Sequence, residues 1–190
     1  MDEKLQYLLI ALLLFSTAAW SEPDDPSVEV TREQGNVYEF KLYFTVQASV
    51  EEVFAIFTDY KNIPKLNRSI KSSRLLESEE PGVTRVEIIS KNCLLFFCKK
   101  LTRVEDVRIN KNKSIETVVI PSMSNFKSGE AFWTFDQQGD KTIVTMQAKV
   151  VPDFWIPPFI GPRTLMKNIR RQLRRTAMTV NDLLTSHEDE

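Results

Sequence analysis

From Tyr38 to Gln47 the chain alternates, with Tyr38, Phe40, Leu42, Phe44 and Val46 on one face and Glu39, Lys41, Tyr43, Thr45 and Gln47 on the other. A period of two belongs to a strand with one side in a core and the other in water. The period then changes. Ser49 stands three residues before Glu52, the spacing of a capping box, and Val50, Val53, Phe54 and Phe57 recur at helical intervals. A short amphipathic helix therefore follows the strand and ends at Thr58-Asp59-Tyr60. A second short helix or turn occupies 60–67, interrupted at Pro64. Runs rich in β-branched and aromatic residues come next, at about 70–78, 83–92, 98–109, 114–120, 129–136 and 141–151. Turn residues at Glu80-Pro81-Gly82, 110–113 and 137–140 join neighbours as antiparallel hairpins. After the proline-dense stretch 152–162, Leu165, Ile169, Leu173, Ala177, Val180 and Leu184 form the apolar stripe of a long helix.

The N-terminus has a different pattern. Leu5 to Ala19 is free of charge, centres on Leu8–Phe15, and breaks into Ser16-Thr17-Ala18-Ala19. That is the apolar region and cleavage zone of a secretory signal, with the cut placed after Ser21. The alternative is an uncleaved anchor, since Asp2 and Glu3 outweigh Lys4 at the start. The run is shorter than the roughly 20 residues a membrane span needs. The expected organisation is a signal segment at 1–21, an extended linker at 22–36, one domain at 37–186 and a tail at 187–190.

Composition removes several classes of function. The 190 residues carry 25 basic and 26 acidic side chains, so no global field favours nucleic acid. The five glycines stand apart and form no phosphate-cradling loop. The single histidine, His187, lies in an acidic tail, which rules out a histidine-based triad or metal cluster. No metal or cofactor is expected. A hydrophobic content of 42% and an aromatic content of 10% suffice for a sizeable core.

The order is strand, two short helices, six strands and a long helix. With it go 48–54 running into Thr58-Asp59-Tyr60, then Pro64, the turn at Glu80-Pro81-Gly82, Trp133-Thr134-Phe135, and Val150-Val151-Pro152-Asp153-Phe154. Over 37–184 this resembles the START-like (SRPBCC) helix-grip superfamily, and within it the polyketide cyclase/dehydrase and coenzyme Q-binding-protein-like group. The resemblance implies an α+β helix-grip fold of START/Bet v 1-like type. A curved antiparallel seven-stranded sheet would wrap a long C-terminal helix, with two short helices after strand 1. A hollow between sheet and helix would be lined by Phe40, Phe44, Val86, Ile88, Trp133, Phe135, Met146, Leu165 and Ile169. Each of these is equally an ordinary core position.

Two segments would meet at the mouth of that hollow. One is the apolar run Leu94, Leu95, Phe96 and Phe97, set between Cys93 and Cys98; the other is the linker with Phe154, Trp155, Ile156 and Phe159. Export favours a disulfide across the neck of the loop, the alternative being two reduced cysteines in a buried strand. Exposed apolar residues in both segments would contact a membrane. Arg163, Lys167, Arg170, Arg171, Arg174 and Arg175 crowd the last helix, facing either anionic headgroups or plain solvent.

The expectation is an exported, monomeric carrier of a hydrophobic small molecule, whether lipid, isoprenoid or polycyclic, with no nucleic-acid partner. The resemblance implies a Gram-negative periplasm, with tethering to the membrane if the signal segment is retained. Two alternatives stay open. One is an enzyme of polyketide cyclase/dehydratase type, for which Glu87, Glu105, Tyr43 and Arg103 are the nearest chemical groups. The other is a module that binds a protein partner through the same rim.

Overall fold

The computed structural model describes residues 26–94, 97–157 and 160–185. The expected signal segment and the tail at 187–190 lie outside the described residues. Chain order is β1 (Ser27–Arg32), β2 (Tyr38–Val46), α1 (Val50–Thr58), α2 (Ile63–Leu66), β3 (Ile70–Leu76) and β4 (Thr84–Leu94). There follow β5 (Phe97–Asn110), β6 (Ser114–Val119), β7 (Phe126–Gln138), β8 (Lys141–Pro152) and α3 (Pro162–Thr185). One antiparallel sheet runs in the order β1-β2-β8-β7-β6-β5-β4-β3, with the long helix against it.

The sheet has eight strands, one more than the alternation pattern implies. Part of the expected linker at 22–36 is β1, which pairs Val28 with Leu42 and Val30 with Phe40. Two valines among polar residues are too faint a signal to stand out in the chain. The neighbouring strand supplies the hydrogen bonds, and Val28 is buried. The two short helices consequently follow the second strand rather than the first.

Local chemistry explains why α1 begins where it does. The Ser49 hydroxyl accepts from the Glu52 amide, and the Glu52 carboxylate accepts from the Ser49 amide at 3.0 Å. The Ser49 side chain first, and its backbone second, hold the Glu52 carboxyl below the usual range. Gln137 of β7 takes another first-turn amide, that of Val50, at 2.8 Å. So fixed, α1 turns Val50, Val53 and Phe54 onto the sheet, where Phe54 meets Phe135 edge-on at 5.1 Å.

The core sits at this end of the sheet. Phe44, Val144 and Phe135 lie side by side across β2, β8 and β7 and are closed off by Leu173, Ala177, Val180 and Leu184 of α3. Two polar ties fix the helix there. Asn181 accepts from the Gln47 amide at 3.1 Å, and the Thr176 hydroxyl donates to the Leu66 carbonyl at 3.2 Å. Further along, β7 shifts register between Phe126 and Ser128, and Gly129 follows on the face toward the helix. A Cβ at Gly129 would stand 2.6 Å from Val119 Cγ2 and 3.4 Å from Val150 Cγ1, so the curvature brings β6 and β8 too close for any side chain.

Gly129→Ala is therefore expected to cost about 1–3 kcal/mol by overpacking. Urea unfolding measures it. An unchanged midpoint would mean that β6 and β7 can spread, and that the curvature does not depend on the glycine.

Candidate ligand-binding hollow and its rim

The face of the sheet toward α3 is not covered evenly. Next to the filled core, one lateral row runs Val30, Phe40, Ala148, Ala131, Thr117 and Val107. The next begins with Tyr38, Val150 and Gly129. Small residues thus occupy the centre of the sheet, and Phe40, Ala131, Met146, Ala148, Leu165 and Ile169 are only half-buried. The expected lining divides accordingly. Phe40, Met146, Leu165 and Ile169 belong to the half-covered region, whereas Phe44, Val86, Ile88 and Phe135 are packed into the core. Trp133 stands between, half-buried and 5.9 Å from the ring of Phe57. A strand period of two identifies the inward face but not which stretch of it meets the helix.

Polar groups also face inward. Arg103 and Glu105 are two residues apart on β5, hence on one face, opposite Ile88 and Val86 of β4. Arg103 Nε lies 2.9 Å from Glu105 Oε2, and the carboxylate side chain is 8% exposed against 41% for the arginine. The contact joins charges without a well-directed hydrogen bond, because Nε has no hydrogen-bond partner. Tyr60, just after α1, buries its hydroxyl with no partner, and its pKa is pushed up, first by burial and then by the charge of Glu105. The hydroxyls of Tyr38 and Ser73 are likewise buried and unpartnered among the described residues. Unpaired buried hydroxyls are uncommon, and each can receive a polar atom of a bound molecule.

Sequence reading named Arg103 and Glu105 but not Tyr60 or Ser73, and it placed Tyr38 only as an apolar position. No spacing marks these hydroxyls, because their burial depends on what packs over them. Glu87 and Tyr43 are not part of the group. Glu87 faces outward and pairs with Arg74 at 2.6 Å, and Tyr43 lies on the outward face of β2. Among the described residues no group of three or more His, Cys, Asp or Glu side chains could hold a metal ion, and no helix is long and apolar enough to cross a membrane.

At one rim the hairpin and the linker meet. Cys93 and Cys98 face each other across β4 and β5 and form a disulfide, their Cα atoms 4.0 Å apart. Phe97 packs edge-on against Trp155, with ring centres 6.5 Å apart. Phe154 is half-buried against Phe126 and lies under Lys99, whose ammonium is 4.8 Å from the ring centre. Asn168 of α3 reaches the Cys93 carbonyl at 3.4 Å. Trp155 is 67% exposed, and Ile156 is half-buried. Leu95, Phe96 and Phe159 lie outside the described residues, as does the side chain of Leu94.

A curved antiparallel sheet gripping a C-terminal helix, with a partly covered inner face, defines the START-like helix-grip class. The chain belongs to the polyketide cyclase/dehydrase and lipid transport family, whose model matches residues 27–180. Among solved structures, human STARD10 superposes with a TM-score of 0.67 at 8% identity, over 100% of this chain and 84% of that one. A STAR-related lipid transfer protein from Xanthomonas axonopodis gives 0.60 at 14% identity, over 83% and 99% of the two chains. The Zhui aromatase/cyclase from a Streptomyces species gives 0.60 at 12%, over 77% and 92%. At these identities the likeness is one of fold. No curated protein matches the chain in sequence.

Tyr60→Phe removes a buried hydroxyl that has no partner, and is expected to leave stability at neutral pH unchanged or raise it by up to about 1–3 kcal/mol. The sign at high pH follows from the raised pKa. The folded state holds this proton more tightly, so its contribution is complete below the ordinary value of 10 and is lost as pH rises toward the folded value. The parent should lose stability above pH 10 more steeply than the variant. Denaturant midpoints across that range check this, and parallel curves would contradict it.

Proposed function

We propose that the protein is an exported carrier of a hydrophobic small molecule bearing a polar end. The molecule lies between the sheet and α3 and is exchanged with a membrane at the rim. The observation that carries this reading is the run of half-buried positions on the inner face, Phe40, Met146, Ala131 and Ala148, with Leu165 and Ile169 half-buried on α3 and three inner hydroxyls buried without partners. The apolar walls bury the body of the ligand, and Tyr38, Tyr60 and Ser73 receive its oxygen atoms. Burial keeps the Tyr60 hydroxyl protonated, so it can donate a hydrogen bond to the ligand. Family membership that includes lipid transport, and structural neighbours named for lipid transfer, support the same reading.

Support for export comes from the apolar run over Leu5 to Ala19 and from the disulfide, which persists in an oxidising compartment. Support for docking comes from Trp155, exposed next to Phe97, and from the apolar pair Leu95-Phe96 that the sequence places between the bridged cysteines. The bilayer would receive the hairpin and the linker together.

Native mass spectrometry of the protein extracted without detergent is expected to show a copurified hydrophobic ligand, and Ala148→Phe should expel it while the fold persists. A parent with nothing bound, or a variant that carries the same load, would sink the carrier reading. Docking has its own readout. Trp155→Ser combined with Leu95→Ser should weaken liposome binding at least about tenfold, since each such side chain gains roughly 1.5–3 kcal/mol on leaving water. Undiminished binding would place the membrane contact elsewhere.

A further inference from the structure

Beside the disulfide, between the α2–β3 turn, the end of β4 and one side of α3, lies a cleft of about 540 Å³. Its lining differs from that of the apolar hollow. Lys65, Arg68, Lys91, Arg171 and Arg175 surround it, against one acid, Asp182. Among the described residues none of these five bases takes part in an ion pair. Five positive charges facing one concavity against a single acid repel one another, and an anion seated among them relieves that repulsion.

The floor is built rather than loose. Ser69 donates to Asn67 at 2.7 Å, Asn67 donates to Gln172 at 3.4 Å, Gln172 bonds Asn168, and Asn168 donates to the Cys93 carbonyl. This amide chain fixes α3 against the turn and against the neck of the hairpin. Arg171 and Arg175, one helical turn apart, are thereby held on the cleft side of α3. Arg163 and Arg170 do not line the cleft. Guanidinium pairs of this kind suit the oxygens of a phosphate, which they can bind through two hydrogen bonds each.

We propose that this cleft binds the phosphate of an anionic phospholipid headgroup in the bilayer on which the rim docks. The proposal rests on the carrier reading only for the orientation of the hairpin toward the membrane. Cys93 lines the cleft and is bridged to Cys98 beside Phe97, which packs on the exposed Trp155, so a headgroup in the cleft and acyl chains beside Trp155 belong to one bilayer surface. Docking then has two components, an apolar tip and a basic pocket behind it.

The test compares two double variants of equal charge change, R171Q/R175Q in the cleft and R163Q/R170Q outside it. Each is titrated with vesicles of phosphatidylcholine with and without phosphatidylglycerol. The cleft pair should weaken binding to phosphatidylglycerol vesicles by about tenfold or more, and the control pair by no more than about threefold. Equal losses from the two pairs would overturn the proposal, since diffuse helix charge would then be the cause. Inorganic phosphate provides a second arm, read by calorimetry. If the cleft pair abolishes phosphate binding yet leaves vesicle binding intact, the lipid assignment is overturned in favour of a free phosphate. Should R171Q/R175Q fail to fold, K65Q/R68Q gives the same readout from the opposite wall. Copurified hydrophobic ligand is measured in every variant. Its retention alongside lost vesicle binding supports the cleft, and its absence from the parent counts against the carrier reading alone.

Discussion

One helix has to close a sheet much wider than itself. An α-helix with its side chains is about 10–12 Å across, whereas eight strands about 4.8 Å apart form a surface roughly three times as wide. A flat sheet would leave most of its apolar face in water. The sheet curls instead, and at Gly129 the side chains of Val119 and Val150 press to where a side chain would begin. The C-terminal half of α3 fills the space against Phe44, Val144 and Phe135. The N-terminal half, with Leu165 and Ile169, remains half-buried. A filled core and half-covered apolar positions thus share one helix.

The polar groups of the inner face make sense in that setting. An ion pair and three unpartnered hydroxyls are unfavourable in a filled core, where each lost hydrogen bond is uncompensated. Beside a hollow they can be satisfied by whatever enters. The outward face handles its charges differently. Arg74 with Glu87 and Arg85 with Asp106 form bidentate pairs across neighbouring strands, and these arginines hold both carboxyls below their usual range. Outer pairs stabilise the sheet locally and leave nothing for a ligand.

The two ends of α3 also have different tasks. Toward its C-terminus, Thr176 and Asn181 bind backbone groups of other elements, and the helix acts as a wall of the core. Toward its start, Asn168 reaches the neck of a disulfide-closed hairpin whose Phe97 packs against the exposed Trp155. Closing so small a loop stabilises the fold by only about 2 kcal/mol in the chain-entropy model. The bridge therefore serves chiefly to hold β4 and β5 paired out to the rim.

Much of the fold was legible because burial leaves a periodic mark on the chain. Alternation located β2, the change of period and the Ser49–Glu52 pair located α1, and the stripe from Leu165 to Leu184 located α3. The strand β1 was not legible, since its two valines mean little without β2 beside them. Phe40 and Phe44 lie on the same face of the same strand, yet one is half-buried and the other is sealed in the core, a difference that no periodicity records. Tyr60 and Ser73 left no local trace, and the basic run of α3 gave no sign that Arg171 and Arg175 would meet Lys65, Arg68 and Lys91. The sequence by itself determined which residues face inward, because that choice depends on each strand's own period. Only the tertiary structure decided which inward positions meet the helix, which meet space and which distant polar groups converge, because those outcomes depend on how far the sheet curls and where the helix ends.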